Sequence, residues 1–396
     1  MTDADSSSEL VSEDRSDVST HLESAVTAEL ERRDAVAVVH AGFRRDPTVR
    51  YCLSAGDDGS PPTDRHRAPT AVAYDGTSGE WLTVTSTDTS AAPARELASQ
   101  LADRQNVESG TVLAPPWLPH DAALYLEEAG FELASTTVFD DARATKTDGE
   151  RDRIATAQTA AAAGLRRAAS LLTDATVEGD RLVADGEAVT PRRLRTAVDE
   201  GIVAAGAFPA GNTAVNPDPG HTPSTNAADA DGDTADVPLR PAEPIVLETT
   251  PRGPDGYYGS LTRTFVVDGE GGRERRAHVG VTQSFRSAAA MVTADVESVT
   301  AVEADLEAEV RAFGFEEPDA VRTRAFGVGL EPQERPMAGG DEIEPGSAVR
   351  LESAVRVDGD QWLRIADLLV PGDDGERAAY LVAPSRSLAP SALLEE

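Results

Sequence analysis

The sequence contains very little cysteine and lysine. Cys52 is the single cysteine among 396 residues, so no internal disulfide can form and an oxidising compartment is not required. The chain has 36 basic and 70 acidic residues, which gives a net charge of −34, and Lys146 is the one lysine. Such a charge would repel nucleic-acid phosphates, so it argues against nucleic-acid binding.

Long hydrophobic runs are also missing. No apolar stretch approaches the ~18 to 20 residues that a membrane span needs. The first residues, MTDADSSSELVSED, are acidic and polar, unlike a signal peptide. We therefore expect a soluble, cytoplasmic protein without membrane contacts. An acidic, lysine-poor surface is typical of a salt-rich cytoplasm, so we interpret the chain as halophilic.

The length predicts two domains, since single cores stop growing at roughly 250 to 300 residues. Residues 1–18 have few apolar side chains, which predicts a disordered acidic tail. Alternating helical and β-rich segments predict a mixed α/β domain over residues 19–143, before a second domain over residues 150–396. Residues 219–237 are rich in Pro, Gly, Ser, Thr and Asp, which predicts a mobile insertion.

Two helices are predicted at the start of the second domain. The first has a buried face because apolar residues recur three and four positions apart, at Ile154, Ala157, Ala161, Leu165, Ala168 and Leu172. The second begins after Thr190 as N-cap, has Pro191 at its first position, and continues through Leu194, Val198, Ile202 and Val203. A later helix pair, at residues 285–296 and 302–313, precedes a strand-rich part.

Three segments of the chain carry motifs of a known family. GYYGSLTRTF, at residues 256–265, resembles the pattern Gly-Tyr-x-Ser-Asp-x-Thr-Arg-Thr-Phe of the pita-bread metallopeptidases, the family of methionine aminopeptidase, prolidase and creatinase. RYCLSAG, at residues 50–56, resembles an Arg-Tyr-Leu-x-Gly turn, and ARATKTDGERDRI, at residues 142–154, resembles the junction that opens the catalytic domain. The resemblance implies an α/β (α+β) protein, in which a small creatinase/prolidase-like domain precedes a pita-bread domain.

The resemblance also assigns five positions to the ligands of two divalent ions, such as Mn, Co, Zn or Fe. The first ligand corresponds to Glu248 or Thr249, depending on the length of the following turn. The other positions are occupied by Ser260, Phe326, Glu352 and Ala366. Of these, the two glutamates alone offer a carboxylate, and hard cations prefer charged oxygen donors. We expect no bound metal pair and no other cofactor.

Other positions of the implied cleft have also changed. AFGVGLEPQERP, at residues 325–336, places Gln333 where the family has a second histidine and keeps Glu334. In creatinase a histidine acts without metal, and Asp218 stands at the corresponding position here. His221, three residues later, is the remaining candidate for a general acid or base.

We interpret the chain as a non-catalytic homologue of the Xaa-Pro peptidases that binds a peptide or protein. The alternative is an active metallo-aminopeptidase, prolidase-like or creatinase-like hydrolase with a rearranged site. Relatives are commonly dimers, so a homodimer is possible. The retained motifs also have structural interpretations. Arg263 can pair with a carboxylate, and Glu248 and Glu352 can be solvated or paired with arginine. Gly327 can be a position where two backbone segments approach closely.

Overall fold

The structure is a computed structural model that describes residues 3–55, 68–86, 88, 92–105, 110–219, 235–269, 271–372 and 376–395. It consists of two compact units, Met1–Glu150 and Arg151–Glu396. His221 and most of the predicted insertion, residues 220–234, lie outside the described residues.

The first unit combines helices with one mixed sheet. Its helices are α1 (Asp3–Arg33), α2 (Pro47–Ala55), α3 (Pro93–Gln105), α4 (His120–Glu128) and α5 (Val138–Ala144). Its strands are β1 (Ala37–Phe43), β2 (Pro69–Asp75), β3 (Glu80–Thr85), β4 (Thr111–Ala114) and β5 (Glu132–Ser135). The sheet order is β3-β2-β1-β4-β5, with β4 parallel to both of its neighbours and the other pairs antiparallel.

Two segments of this unit differ from the sequence prediction. Helix α1 begins at Asp3, whereas residues 1–18 were predicted to be a disordered tail. Val18, Leu22 and Val26 are buried and recur every four residues, so they lie on one face of α1. The packed face of the helix therefore extends closer to the N-terminus than the composition indicates. The RYCLSAG segment also differs, because it lies in helix α2 up to Ala55 instead of forming a turn.

The second unit has two helix pairs and a large sheet. Its helices are α6 (Asp148–Thr173), α7 (Pro191–Ala204), α8 (Arg273–Ala294) and α9 (Val299–Arg311). The large sheet contains β9 (Thr213–Val215), β10 (Ile245–Thr249), β11 (Leu261–Phe265), β13 (Val321–Gly327), β14 (Glu334–Met337), β16 (Val349–Asp358), β17 (Gln361–Val370) and β18 (Ala379–Leu381). Its order is β14-β13-β16-β17-β11-β10-β9, and β18 pairs with β17.

Short strands complete this unit. They are β6 (Thr176–Glu178), β7 (Arg181–Ala184) and β8 (Glu187–Ala188), which form one small sheet, and β12 (Glu297–Ser298) and β15 (Glu342–Ile343), which pair with each other. A 3₁₀ turn follows at Pro390–Leu393.

Each helix pair packs on one half of the large sheet. Helices α6 and α7 share a hydrophobic cluster with strands β9 to β11, and helices α8 and α9 share another with β13, β16 and β17. The buried residues that the large sheet contributes to these clusters are odd-numbered, for example Leu247, Leu261, Leu351 and Ile365. Side chains alternate between the faces of a sheet, so the even-numbered residues point away from the helices.

Helix α6 confirms the predicted apolar face, since all six predicted positions are buried. It begins with a capping box in which Glu150 N–H donates to Thr147 Oγ1 and Thr147 N–H donates to Glu150 Oε2. Thr190 caps α7 as predicted, but Val203 is 61 % exposed and does not belong to its buried face.

Helices α6 and α7 cross closely at two glycines. A Cβ atom on Gly164 would lie 2.8 Å from the carbonyl oxygen of Val198, and one on Gly201 would lie 2.8 Å from the carbonyl oxygen of Ala163. Only glycine allows this backbone separation. Among the described residues, no helix is long and apolar enough to cross a lipid bilayer.

The negative charge lies almost entirely at the surface. In the described part of the chain, the buried acidic residues are Asp75, Glu150, Glu248, Glu334, Glu352 and Asp367. The other described carboxylates are at least partly exposed, so they repel each other through solvent, where dissolved salt screens them.

We predict that salt stabilises the fold. Raising KCl from about 0.1 M to about 1 M shortens the screening length from about 10 Å to about 3 Å, so the melting temperature should rise. Calorimetry at matched pH measures this, with sucrose of equal osmolality as a control for non-ionic effects. A melting temperature that falls or does not change with KCl would contradict the prediction.

Candidate functional site

The even-numbered face of the large sheet carries one continuous row of side chains. Residues directly opposite in a ladder share a face of the sheet. The paired positions, taken strand by strand from β9 to β13, are Ala214, Glu248, Thr262, Ala366, Glu352 and Arg324. Three sequence-predicted site positions, Glu248, Ala366 and Glu352, therefore lie in one row.

Arg350 joins the two glutamates of this row. Its Nη2 atom donates to Glu248 Oε1 at 2.7 Å and to Thr262 Oγ1 at 3.0 Å, and its Nη1 atom donates to Glu352 Oε2. The side chain reaches them because Arg350 is two residues before Glu352 on β16, and therefore on the same face.

Arg364 binds the same two carboxylates from strand β17. Its Nε and Nη2 atoms donate to Glu352 Oε1 at 3.0 and 2.6 Å, and Nη2 lies 3.2 Å from Glu248 Oε2. Its Nη1 atom donates to the carbonyl oxygen of Pro217 at 3.0 Å. Two guanidinium groups and two carboxylates thus form one cluster, which we call the Arg–Glu box: Glu248, Arg350, Glu352 and Arg364.

The Arg–Glu box is neutral and closed to solvent. All four residues are at most 2 % exposed, and their formal charges cancel. Burial raises the pKa of Glu352, but the charges of Arg350 and Arg364 outweigh that effect and lower the pKa to about 2. Burial lowers the pKa of Arg364, and the charges of Glu352 and Glu248 outweigh it, so the net shift is upward. Glu352 and Arg364 therefore hold their charges over the ordinary pH range.

Hydrophobic side chains fill the space beside the box. Phe326 is buried, and its ring centroid lies 5.4 Å from the guanidinium carbon of Arg350 and 5.1 Å from that of Arg324. These distances are typical of cation–π contacts. Ala366 is also completely buried, between Thr262 and Glu352 in the row.

Ser260 and Thr249 form separate hydroxyl contacts. Ser260 Oγ lies 3.3 Å from Thr250 Oγ1, and its N–H donates to Gln158 Oε1 at 2.7 Å. Thr249 is on the opposite face from Glu248, and its Oγ1 lies 3.1 Å from Thr213 Oγ1. Of the two alternatives for the first ligand position, Glu248 is therefore the residue that faces Glu352.

The remaining predicted positions within the described residues make other contacts. Asp218 approaches Arg364 through its backbone, with its carbonyl oxygen 3.5 Å from Nη1. Gln333 Oε1 accepts from Arg324 Nη2 at 3.4 Å, and Glu334 Oε2 accepts from the N–H of Glu331 at 3.3 Å.

Gly327 shows the close backbone approach that the sequence predicts. A Cβ atom at this position would overlap the carbonyl oxygen of Arg335. This close backbone contact explains why the position is a glycine, independently of any metal ion.

A second buried ion pair confirms the prediction for Arg263. Its Nη2 atom donates to Asp367 Oδ1 at 2.7 Å and to the carbonyl oxygen of Pro384 at 2.7 Å. Asp367 Oδ2 accepts from Arg386 Nε at 2.6 Å. This group lies on the helix-facing side of the sheet, apart from the Arg–Glu box.

Sequence reasoning considered that arginine might pair with the glutamates but did not identify Arg350 and Arg364. The signal was the strand period: each arginine is two residues before a predicted ligand position, Glu352 or Ala366. That spacing places the side chains on one face of a strand.

A model of metallopeptidase family M24 matches residues 152–371, which is 220 of the 396 residues. The chain belongs to this family. No curated protein sequence matches the chain. The family match covers the helix pairs and the strands that carry the Arg–Glu box.

Solved structures of family members show the same fold. The prolidase from Pyrococcus horikoshii OT3 superposes with a TM-score of 0.64 at 16 % identity, over 93 % of this chain and 99 % of that chain. The Xaa-Pro dipeptidase from Bacillus anthracis has a TM-score of 0.70 at 14 % identity, over 93 % and 99 %. A histidine-to-alanine variant of Escherichia coli aminopeptidase P has a TM-score of 0.69 at 14 % identity, over 96 % and 98 %. The M24 protein thus has the pita-bread fold of prolidases.

We predict that the Arg–Glu box contributes strongly to stability. Arg364→Met would leave two buried carboxylates with one guanidinium, which should cost about 3–5 kcal/mol of unfolding free energy. The matched control is Arg192→Met, because Arg192 also pairs with a carboxylate, Asp236, but both side chains are more than 60 % exposed. That surface change should cost far less, because exposed ion pairs contribute little to stability. Denaturant titration in high salt measures both, and equal losses would contradict the prediction.

We also predict an acid dependence that belongs to Glu352. Its pKa is about 2 in the folded protein and 4.5 ordinarily, so between these values the unfolded state binds more protons. The stabilisation is complete above pH 4.5 and is lost as the pH falls towards 2, by at most about 1.4 kcal/mol per pH unit. The difference in unfolding free energy between wild type and Glu352→Gln should therefore shrink as the pH falls below 4.5. A difference that is constant with pH would contradict this assignment.

Proposed function

We propose that this protein is a non-catalytic member of the M24 family that binds a peptide or protein partner. The observation that carries the proposal is the Arg–Glu box: both glutamates that could bind metal are already bound by two buried guanidinium groups. Divalent ions would have to displace these cations from the same carboxylate oxygens.

The donor set does not fit a pair of divalent ions. Such a site needs several anionic or imidazole ligands around each ion. At the remaining implied positions, Phe326 and Ala366 offer no donor atom, and the Ser260 hydroxyl is directed to Thr250. In the described part of the chain, no three His, Cys, Asp or Glu side chains are grouped so that they could hold a metal ion.

The burial of the Arg–Glu box, which keeps water and substrate away from its side chains, supports the same proposal. A hydrolase must bring a water molecule and a scissile bond to its catalytic groups. The Arg–Glu box is closed, and the ring of Phe326 covers one of its guanidinium groups.

The proposed binding function is based on the fold that the chain shares with prolidases. The helix pairs and the large sheet keep the architecture of prolidases over more than 90 % of the chain, while the centre of the site is filled. Partner binding would therefore use the rim and outer surfaces of the pita-bread unit, as a monomer or as a homodimer. We also propose a salt-rich cytoplasm as its location, because of the net charge of −34 and the single cysteine.

Metal analysis combined with a hydrolysis assay tests the proposal. Protein purified in high salt is incubated with Mn²⁺, Co²⁺, Zn²⁺ or Fe²⁺, desalted, and analysed by mass spectrometry for bound metal. Hydrolysis of Xaa-Pro dipeptides is measured on the same samples, with an active prolidase as the positive control. We expect clearly substoichiometric metal and no turnover above the protein-free rate.

Two results would overturn the proposal in different ways. Stoichiometric metal with turnover would establish a metallopeptidase with a rearranged site. Turnover without metal that disappears in a His221→Ala variant would establish a creatinase-like hydrolase.

A further inference from the structure

The segment that follows β18, residues 382–395, contacts the cores beneath both helix pairs. We call it the C-terminal strap. Leu388 packs against the hydrophobic cluster of α8 and α9, and Leu393 is buried in the cluster of α6 and α7. The N–H of Val266, directly after β11, donates to the carbonyl oxygen of Leu388 at 2.9 Å. The strap therefore runs along the helix-facing side of the large sheet, from one helix pair to the other.

Arg263 and Asp367 hold the middle of the strap. Arg263 donates from Nη2 to the carbonyl oxygen of Pro384 at 2.7 Å and from Nε to that of Ser385 at 2.9 Å. Arg386, in the strap, donates from Nε to Asp367 Oδ2 at 2.6 Å, while Asp367 Oδ1 accepts from Arg263. Two guanidinium groups thus share one carboxylate, and these three residues carry a formal net charge of +1.

His278 binds the strap from helix α8. Its Nε2 atom lies 2.7 Å from the carbonyl oxygen of Arg386, so this bond forms when Nε2 carries the proton and donates it. The histidine is half-buried. A neutral imidazole makes the bond without adding charge, whereas an imidazolium adds a positive charge beside a group that already has an excess of positive charge.

The surroundings of His278 disfavour its protonated form. Burial lowers the pKa of His278, the bond to the carbonyl oxygen opposes this effect, and the charge of Arg386 lowers the pKa again, so the net shift is downward. With the two arginines that bind Asp367 included, the ionisable groups on the surrounding elements have a formal net charge of +1. They are Asp367 on β17, Tyr380 on β18, whose pKa burial raises, and Glu274 and Arg275 one turn earlier on α8.

The first residue of the strap has a strained backbone. Val382 has a φ of 40°, in the left-handed region that a β-branched residue rarely adopts. Such a conformation persists only where surrounding contacts impose it. Detachment of the strap would relax this residue, so strain at Val382 favours opening whenever the contacts further along the strap weaken.

We infer that the C-terminal strap is a pH-sensitive switch: it is bound to the sheet while His278 is neutral and opens more often when His278 gains a proton. Each opening separates Leu388 and Leu393 from the two helix-pair cores. Acidification therefore weakens the contact that the C-terminus makes between the two halves of the pita-bread unit. This inference is independent of the proposed function, because it uses no residue of the Arg–Glu box.

The pH range of the switch follows from the direction of the pKa shift. His278 has an ordinary pKa of 6.5 when the strap is open and a lower pKa when the strap is bound. Between these two values the open form binds more protons. The bound form is therefore fully stabilised above about pH 6.5 and loses stability as the pH falls towards the lowered pKa. This range is separate from the acid range assigned to Glu352.

Hydrogen–deuterium exchange at pH 7.5 and pH 5.5, at the same KCl concentration, tests the inference. The informative amides are that of Val266, which donates to the strap, and those of the strap itself. After correction for the intrinsic effect of pH on exchange, their protection should fall by up to about tenfold on acidification. Amides of α6 should keep their protection, because the opening is local.

Two variants make the result specific. In His278→Gln the amide nitrogen can still donate to the carbonyl oxygen of Arg386 but cannot gain a charge, so protection of the strap should not depend on pH in this range. The matched control is His21→Gln, because His21 Nε2 also lies near a carbonyl oxygen, that of Ala142 at 2.9 Å, in the first unit. This control should keep the pH response of wild type.

An NMR titration of the histidine side chains in the wild-type chain gives a second readout, which decides the matter even if His278→Gln does not fold. The pKa of His278 should lie below 6.5. A pKa of 6.5 or higher would overturn the inference. So would strap protection that is the same at both pH values, a pH response that persists in His278→Gln, or loss of protection in α6 in parallel with the strap.

Discussion

Strands β10, β16 and β17 bring two glutamates together inside the protein, and two arginines neutralise them. An isolated buried carboxylate is costly, and two adjacent carboxylates are more so, so such a pair requires a positive counter-charge. Members of the M24 family that act as metallopeptidases meet this requirement with divalent ions. Here Arg350 and Arg364 supply the positive charge from within the chain.

The alternation of side chains in the sheet explains how the fold survives this change. Odd-numbered strand residues such as Leu247 and Ile365 pack against the helices, while even-numbered residues such as Glu248 and Ala366 form the site. Substitution on the site face therefore leaves the helix-packing face intact. This separation accounts for prolidase-like architecture at 14–16 % identity. The composition of the site face can change while the glycines and apolar frame around it remain.

Much of the fold could be predicted because its signals are local. The apolar rows of α6 and the cap at Thr190 follow from spacing alone, and the family motifs predict the pita-bread fold. The Arg–Glu box was harder, because Arg350 and Glu248 are 102 residues apart and their contact depends on strand order. The choice between Glu248 and Thr249 depended on the length of one turn, and a shift of one residue in a strand exchanges its two faces.

Diffraction from crystals grown with Mn²⁺ is the most direct test of the central claim. Data collected on both sides of the manganese absorption edge locate the ion independently of any assumed coordination. Our account predicts guanidinium density of Arg350 between Glu248 and Glu352 and no anomalous peak at that position. An anomalous peak bound by both glutamates, with Arg350 displaced towards solvent, would contradict it.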